Sequence, residues 1–181
     1  GNLNTSLGNA LVDLNMNFQP KTPTYTGNLE TNNFEIGQLI KQSSVGKISM
    51  KGKIDGSGFD LNHLNARLDA VISKFEYDKN TYIKLVVNGI VEKRKFDGIF
   101  ISQDPNLAIN FNGKLDLSGQ EPIYQFDSRF IKFNLQKLGI TKEPIIGSGF
   151  ASLNFKGSTL DNFTGTAILK NLIIEQNDKS L

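Results

Sequence analysis

The sequence predicts an all-β fold, an antiparallel sheet in meander order that curls along its length, and three observations carry that reading. Apolar and polar residues alternate along most of the 181-residue chain, turn signals cut the alternation into runs of strand length, and glycine repeatedly takes a place inside the apolar series. Alternation with a period of two marks a half-buried strand, because successive side chains point to opposite faces.

In chain order, Val12, Leu14, Met16 and Phe18 alternate with Asp13, Asn15 and Asn17. Ile48, Met50 and Ile54 alternate with Ser49, Lys51 and Lys53, with Gly52 in the apolar series. Ile83, Leu85, Val87 and Val91 repeat the pattern around Gly89. The longest ribbon is "LAINFNGKLDLSG" (107–119), with Leu107, Ile109, Phe111, Leu115 and Leu117 on one side and Gly113 among them. At about 3.3 Å per residue it would span roughly 40 Å, about twice an ordinary strand. Ala151, Leu153 and Phe155 continue against Ser152, Asn154 and Lys156. Turn signals fall at "DGSG" (55–58), "DKN" (78–80), "DPN" (104–106) and "SGQEP" (118–122).

Two kinds of segment depart from this pattern. In "LNARLDAVISKFEY" (64–77), a helical stripe through Leu64, Leu68, Val71, Ile72 and Phe75 competes with alternation through Leu64, Ala66, Leu68, Ala70 and Ile72. The β-branched pair Val71-Ile72 and the surrounding strands favour a strand. "IGQLI" (36–40) and "LQKLGI" (135–140) read as single helical turns, each after a strand. A shift of 99 residues lays Tyr25 on Tyr124, Phe34 on Phe133, Ile36 on Leu135 and Leu39 on Leu138. Such self-similarity suggests a long repeat, and repeats of this kind stack into extended sheets. The expected organisation is an end strand of a preceding repeat (1–21), a first module (22–119) and a second, truncated module (120–181), in one continuous sheet.

Composition bounds the function. The chain is 38% hydrophobic and 21% charged with a net charge of +2, enough to bury a core and too balanced to imply a polyanionic partner such as nucleic acid. The one dense basic run, Lys93-Arg94-Lys95, is flanked by Glu92 and Asp97 and reads as a solvated hairpin end. With no cysteine there is no disulfide framework, which suits cytosol or periplasm equally. No apolar run reaches the roughly 18 residues of a spanning helix, and the N-terminus lacks a signal-peptide layout. The initial Gly1 and an end just after a strand-like run suggest a piece of something longer.

Catalytic and metal constellations are not legible. His63 is the only histidine, so a His-based triad would have to rest on it, and a zinc site would have no second histidine ligand; it lies between Asn62 and Leu64 in a turn and reads as exposed. "GSGF" (56–59 and 147–150) lacks the third glycine of a dinucleotide loop, with Leu61 and Ser152 in its place. "DGSGFD" (55–60) has Asp60 where a calcium loop needs glycine and Ala66 where it needs glutamate. Ser44-x-x-Lys47 lacks the companion motifs of a serine acyl-enzyme. The expectation is a non-enzyme without cofactor or metal.

A sheet with one apolar face must cover it. Two facing sheets, a sandwich, would do so and would suit a plain binding module. The other solution is a curled sheet that keeps its apolar side as an open groove for acyl chains. Mid-strand Gly52, Gly89, Gly113 and Gly157 favour curling, since glycine permits bulges and tight bends. The expected groove lining is Val12, Leu14, Met16 and Phe18; Ile48, Met50 and Ile54; Ile83, Leu85 and Val87; Leu107, Ile109, Phe111, Leu115 and Leu117; and Leu153 and Phe155. Such a lining would take up acyl tails at roughly 0.8 kcal/mol per CH₂ removed from water. In an open groove, Phe111→Asp and Leu115→Asp should fold with modestly lowered stability while losing lipid.

The stretches "YTGNLETNNFEIGQLI" (25–40), "VGKISMKGKIDGSG" (45–58), "KFDGIFISQDPNLAINFNGKLDLSG" (95–119) and "GSTLDNFTGTAILKNLII" (157–174) resemble the periplasmic repeats of the TamB/AsmA-like family. The matching elements are G-x-L-x-T-x-x-F-x-I/L-G-x-L, F-x-G-x-F…D-P-N-L-x-I-x-F-x-G-x-L-D-L, and a late L-D-N-F-T-G, over roughly residues 22 to 175. The resemblance implies an elongated, taco-shaped β-sheet with a hydrophobic groove, set in a long periplasmic protein anchored in the inner membrane of a diderm bacterium. It implies passage of phospholipid acyl chains towards the outer membrane. A chaperone or scaffold role for outer-membrane protein clients, with a barrel partner of the Omp85 type, is the alternative. The family brings no catalytic residues to this chain.

Overall fold

In a computed structural model of the chain, residues 2–157, 162 and 164–176 are described. Among these residues, eleven strands form one sheet whose spatial order is the chain order, every neighbouring pair antiparallel. They are β1 (Asn2–Thr5), β2 (Gly8–Asn17), β3 (Thr24–Phe34), β4 (Val45–Ser57), β5 (Asn65–Tyr77), β6 (Asn80–Glu92), β7 (Lys95–Asp104), β8 (Leu107–Asp116), β9 (Ile123–Asn134), β10 (Ile145–Lys156) and β11 (Thr164–Gln176). One helical turn, α1 (Ile36–Leu39), follows β3. The counterpart at 135–139 is a hydrogen-bonded turn closed by Leu138 N donating to Asn134 O. The sheet is open, with β1 and β11 at its two edges. The all-β meander therefore stands, the ambiguous segment 64–77 is a strand, and the sandwich is not what the chain forms.

Local chemistry sets the strand ends. Two-residue turns join β5 to β6 and β6 to β7, and both central residues of each have positive φ: Asp78 and Lys79 at 45° and 67°, Lys93 and Arg94 at 46° and 71°. That is the type I′ geometry, whose twist matches the flanking strands. β8 stops at Asp116, short of the ribbon read from the sequence, because the Asp116 carboxylate accepts the Ser118 amide at 3.0 Å and pairs with Lys95 at 2.9 Å. These Ser118 and Lys95 contacts hold the Asp116 carboxyl down at about 2. At "DGSG" the expected turn is displaced, since β4 runs through Ser57 and the chain turns only from Gly58. Tyr25 explains this: its ring stacks on Phe59 at 5.2 Å and its hydroxyl donates to Gly58 O at 2.8 Å, which holds β3 and β4 together to the end. Gly157 lies just beyond β10 and is not a mid-strand glycine.

The pairing registers stack inward-facing residues into transverse rows. One runs Leu14–Gly27–Ile54–Leu68–Gly89–Gly98–Gly113–Phe126–Leu153–Ala167. The next runs Val12–Leu29–Gly52–Ala70–Val87–Phe100–Phe111–Ser128–Ala151–Leu169. Glycine sits in these rows where the neighbouring strand approaches too closely for a Cβ. A Cβ at Gly113, with φ of 154°, would lie 2.5 Å from the Phe126 Cα, and one at Gly52 would lie 2.6 Å from the Ala70 Cα. Without those Cβ atoms, neighbouring side chains occupy the space.

This curling covers the apolar face without a second layer. Leu85 is 3% exposed and Ile72 6%, although no other sheet faces them. Side chains that lack a covering layer reach such burial only if the sheet wraps over them. A transverse crease crosses the strands near one end of the rows. It is marked by Asn33, Lys84 and Asn171 at φ of 49°, 56° and 50°, and by register breaks at Thr31/Phe34, Ser49/Met50, Ala108/Ile109 and Gly147/Gly149. Bulges of this kind sharpen local bend and twist.

Candidate functional site

The candidate site is the inner face of the curled sheet. Two further rows complete it: Ala10–Thr31–Met50–Ile72–Leu85–Ser102–Ile109–Phe130–Gly149, and Met16–Tyr25–Gly56–Ala66–Val91–Phe96–Leu115–Tyr124–Phe155–Gly165. None of the four rows contains a charged residue. Most charge lies on the outer face and rim, where Lys51 pairs with Glu30 at 3.2 Å and Lys114 with Asp97 at 3.0 Å; buried Asp104, opposite Leu107 beyond these rows, is the exception.

Of the residues expected to line a groove, Val12, Leu14 and Met16, Ile48, Met50 and Ile54, Leu85 and Val87, Leu107, Ile109, Phe111 and Leu115, and Leu153 and Phe155 lie on this face. Three do not belong to it. Ile83 is on the outer face: Lys84 in the left-handed region resets the alternation, so Tyr82 and Phe75 pack inward while Ile83 pairs with Lys74. Phe18 and Leu117 lie beyond the ends of β2 and β8, 65% and 46% exposed. Phe96, Phe100, Tyr124, Phe126 and Phe130 were missed as lining. Their segments, 95–101 and 124–135, do alternate, but neighbouring apolar residues such as Ile99, Ile101 and Ile131 on the other face blur the pattern.

The floor of the face is filled. Phe111 packs between Phe96 and Phe126, at centroid distances of 6.1 and 4.8 Å, and is 8% exposed. Leu7, Ile36 and Leu39 pack against the inner cluster at the α1 end. Openness increases towards the edges: Met16 is 42% exposed, Leu169 59% and Leu172 47%. An occupant therefore finds half-buried side chains such as Leu115, Val91 and Phe155 along one margin rather than an empty bore.

Buried polar groups on this face mostly serve the backbone; the Ser128 hydroxyl, opposite Phe111, is the exception and has no protein partner among the described residues. Thr31 Oγ1 donates to Ile48 O and accepts from Met50 N, both at 3.2 Å, bridging the crease. Asp104, 3% exposed, accepts the amides of Ile83 at 3.0 Å and Asn106 at 2.8 Å, and Ser102 Oγ accepts the Asp104 amide at 3.1 Å. The nearby Tyr82 hydroxyl is raised above its ordinary pKa by burial and then by the Asp104 charge. Burial likewise pushes Tyr25 up to about 12. His63 lies on the outer loop after β4, 2.8 Å from Asp60, whose carboxyl this contact lowers. Among the described residues, no three metal-ligating side chains cluster. Chemically, the face offers apolar contact and aromatic edges.

No family model, curated protein or solved structure matches the chain in comparisons with each.

Proposed function

We propose that the chain is a length of apolar trough from an envelope-spanning, TamB/AsmA-like protein of the periplasm, and that the trough carries phospholipid acyl chains between inner and outer membrane. The observation that supports this most is the set of four inward rows: ten or so strands deep, free of charge, and covered by no second layer among the described residues. Acyl tails laid along the half-buried margin at Val91, Leu115 and Phe155 leave water at roughly 0.8 kcal/mol per CH₂. Headgroups stay with the solvent and the charged rim, where Lys95 and Lys114 stand beside their carboxylate partners.

A photo-cross-linking side chain at Leu115 or Val91, in protein expressed in a diderm bacterium, tests the reading. Phospholipid adducts should form there and be absent at outward Asn112. Equal labelling of both faces, or none at either inner position, would overturn it.

A further inference from the structure

Two loops at opposite ends of β4 line one pocket. Lys41 stands in the loop before the strand, Asp60 and His63 in the loop after it, and Arg94 in the β6–β7 turn, around a cavity of about 240 Å³. A straight strand of 13 residues would hold those loops roughly 40 Å apart, so the curl is what brings them together. The Asp60 carboxyl is lowered first by its bond to His63 and, among lesser causes, by the Lys41 charge across this junction.

The one carboxylate in the lining is already engaged. Its two oxygens lie 3.0 and 2.8 Å from His63 Nδ1, and one of them accepts the Asn62 amide at 3.0 Å. Among the described residues, neither Lys41 nor Arg94 stands in an ion pair. Both cations also occupy places where glycine is the usual residue. Lys41, at φ of 58°, closes α1: the Gln42 amide donates to Gly37 O at 2.8 Å and the Lys41 amide to Gln38 O at 3.4 Å. That paired closure ordinarily takes glycine at the left-handed position. Arg94, at φ of 71°, is the second central residue of a type I′ turn, again a place for glycine. Turn stability alone would put glycine at both positions. Each instead carries a long cation, and the two cations line the same pocket. Strained conformations gathered at one place point to function.

We infer that this pocket binds a phosphate group, with Lys41 and Arg94 as its cationic ligands. The guanidinium can grip two phosphate oxygens in its fork while the ammonium acts as a point charge. The volume is several times the roughly 30 Å³ share of one water, so the group enters with part of its hydration. Ile40 and Leu61 share the lining, and a free phosphate and the phosphate of a lipid headgroup are both within its chemistry. This inference stands on the pocket and does not depend on a lipid cargo in the trough.

His63, the only histidine, is a built-in reporter. In the intact chain at fixed pH, inorganic phosphate should shift the His63 imidazole proton resonances saturably, whereas sodium chloride of equal ionic strength should not. Lys41→Gly and Arg94→Gly should each weaken the response about tenfold, the loss of one charge-assisted contact. Their melting temperatures should hold or rise, because glycine is unstrained at positive φ. Dihexanoylphosphatidylglycerol below its micellar concentration separates the two sources. Tighter binding than inorganic phosphate assigns a lipid headgroup, and equal or weaker binding assigns a free phosphate. A shift matched by sodium chloride, no shift with either probe, or an undiminished shift in both glycine variants would overturn the inference. Cross-linking at Leu115 and Val91 reads the trough separately, so either reading can fail alone.

Discussion

Phe111 shows how a residue on a trough floor differs from one on its margin. Its ring is clasped by Phe96 and Phe126 and is 8% exposed, so the curled sheet treats it as core. The expectation that Phe111→Asp would fold is therefore withdrawn: an unpaired carboxylate there has no water to meet, and unfolding is expected. Phe111→Ala should cost about 3–5 kcal/mol, read from urea denaturation midpoints. Leu115→Asp, at a half-buried position, should fold with a modest loss of melting temperature and abolish lipid cross-linking at Val91. Tyr25 supplies a pH signature. Its pKa rises from the ordinary 10.0 to about 12 on folding, so the folded state holds the phenolic proton more tightly. That contribution is complete below about pH 10 and is lost as pH climbs through 12. Melting temperature should fall more steeply over that window in the parent than in Tyr25→Phe.

At the scale of elements, what was legible in the sequence follows from how strictly each strand alternates. β4 and β8 separate apolar from polar most cleanly, β2 and β10 turn one large apolar residue outward each, Leu11 and Phe150, and the inward residues of all four are the ones alternation names. β7 and β9 carry isoleucines outward as well, such as Ile99 and Ile131, so period two does not say which face is inner. Ile83 was misassigned because a single left-handed residue, Lys84, reverses the alternation, and nothing in a lysine announces that conformation. The turns give a prediction of their own. Lys79 and Arg94 occupy positive-φ positions where glycine is unstrained. Lys79→Gly and Arg94→Gly should each raise stability by about 0.5–1 kcal/mol in denaturant titrations. Gly113→Val should do the reverse by about 2 kcal/mol or more, since its Cβ would press on the backbone of β9.

For the whole molecule, the curl replaces the second layer that a flat sheet would need. The trough is therefore both the hydrophobic core and the candidate cargo surface, and changes that widen it also loosen the fold. Its edges are unequal. β1 covers only part of β2 with a strand of 4 residues, whereas β11 offers 13 residues with apolar side chains on both faces.

The meander order has a mechanical consequence. Among the described residues each strand is bonded only to its neighbours in the chain, and β1 and β11 sit at opposite edges of the sheet. Tension applied to the ends travels through the ladders in series and detaches edge strands one at a time, with no clamp to break first. Each released strand of about 13 residues lengthens the tether by roughly 40 Å. On the proposed envelope-spanning role, such a protein would behave as an extensible line, giving way in small increments when the distance between its anchorages changes.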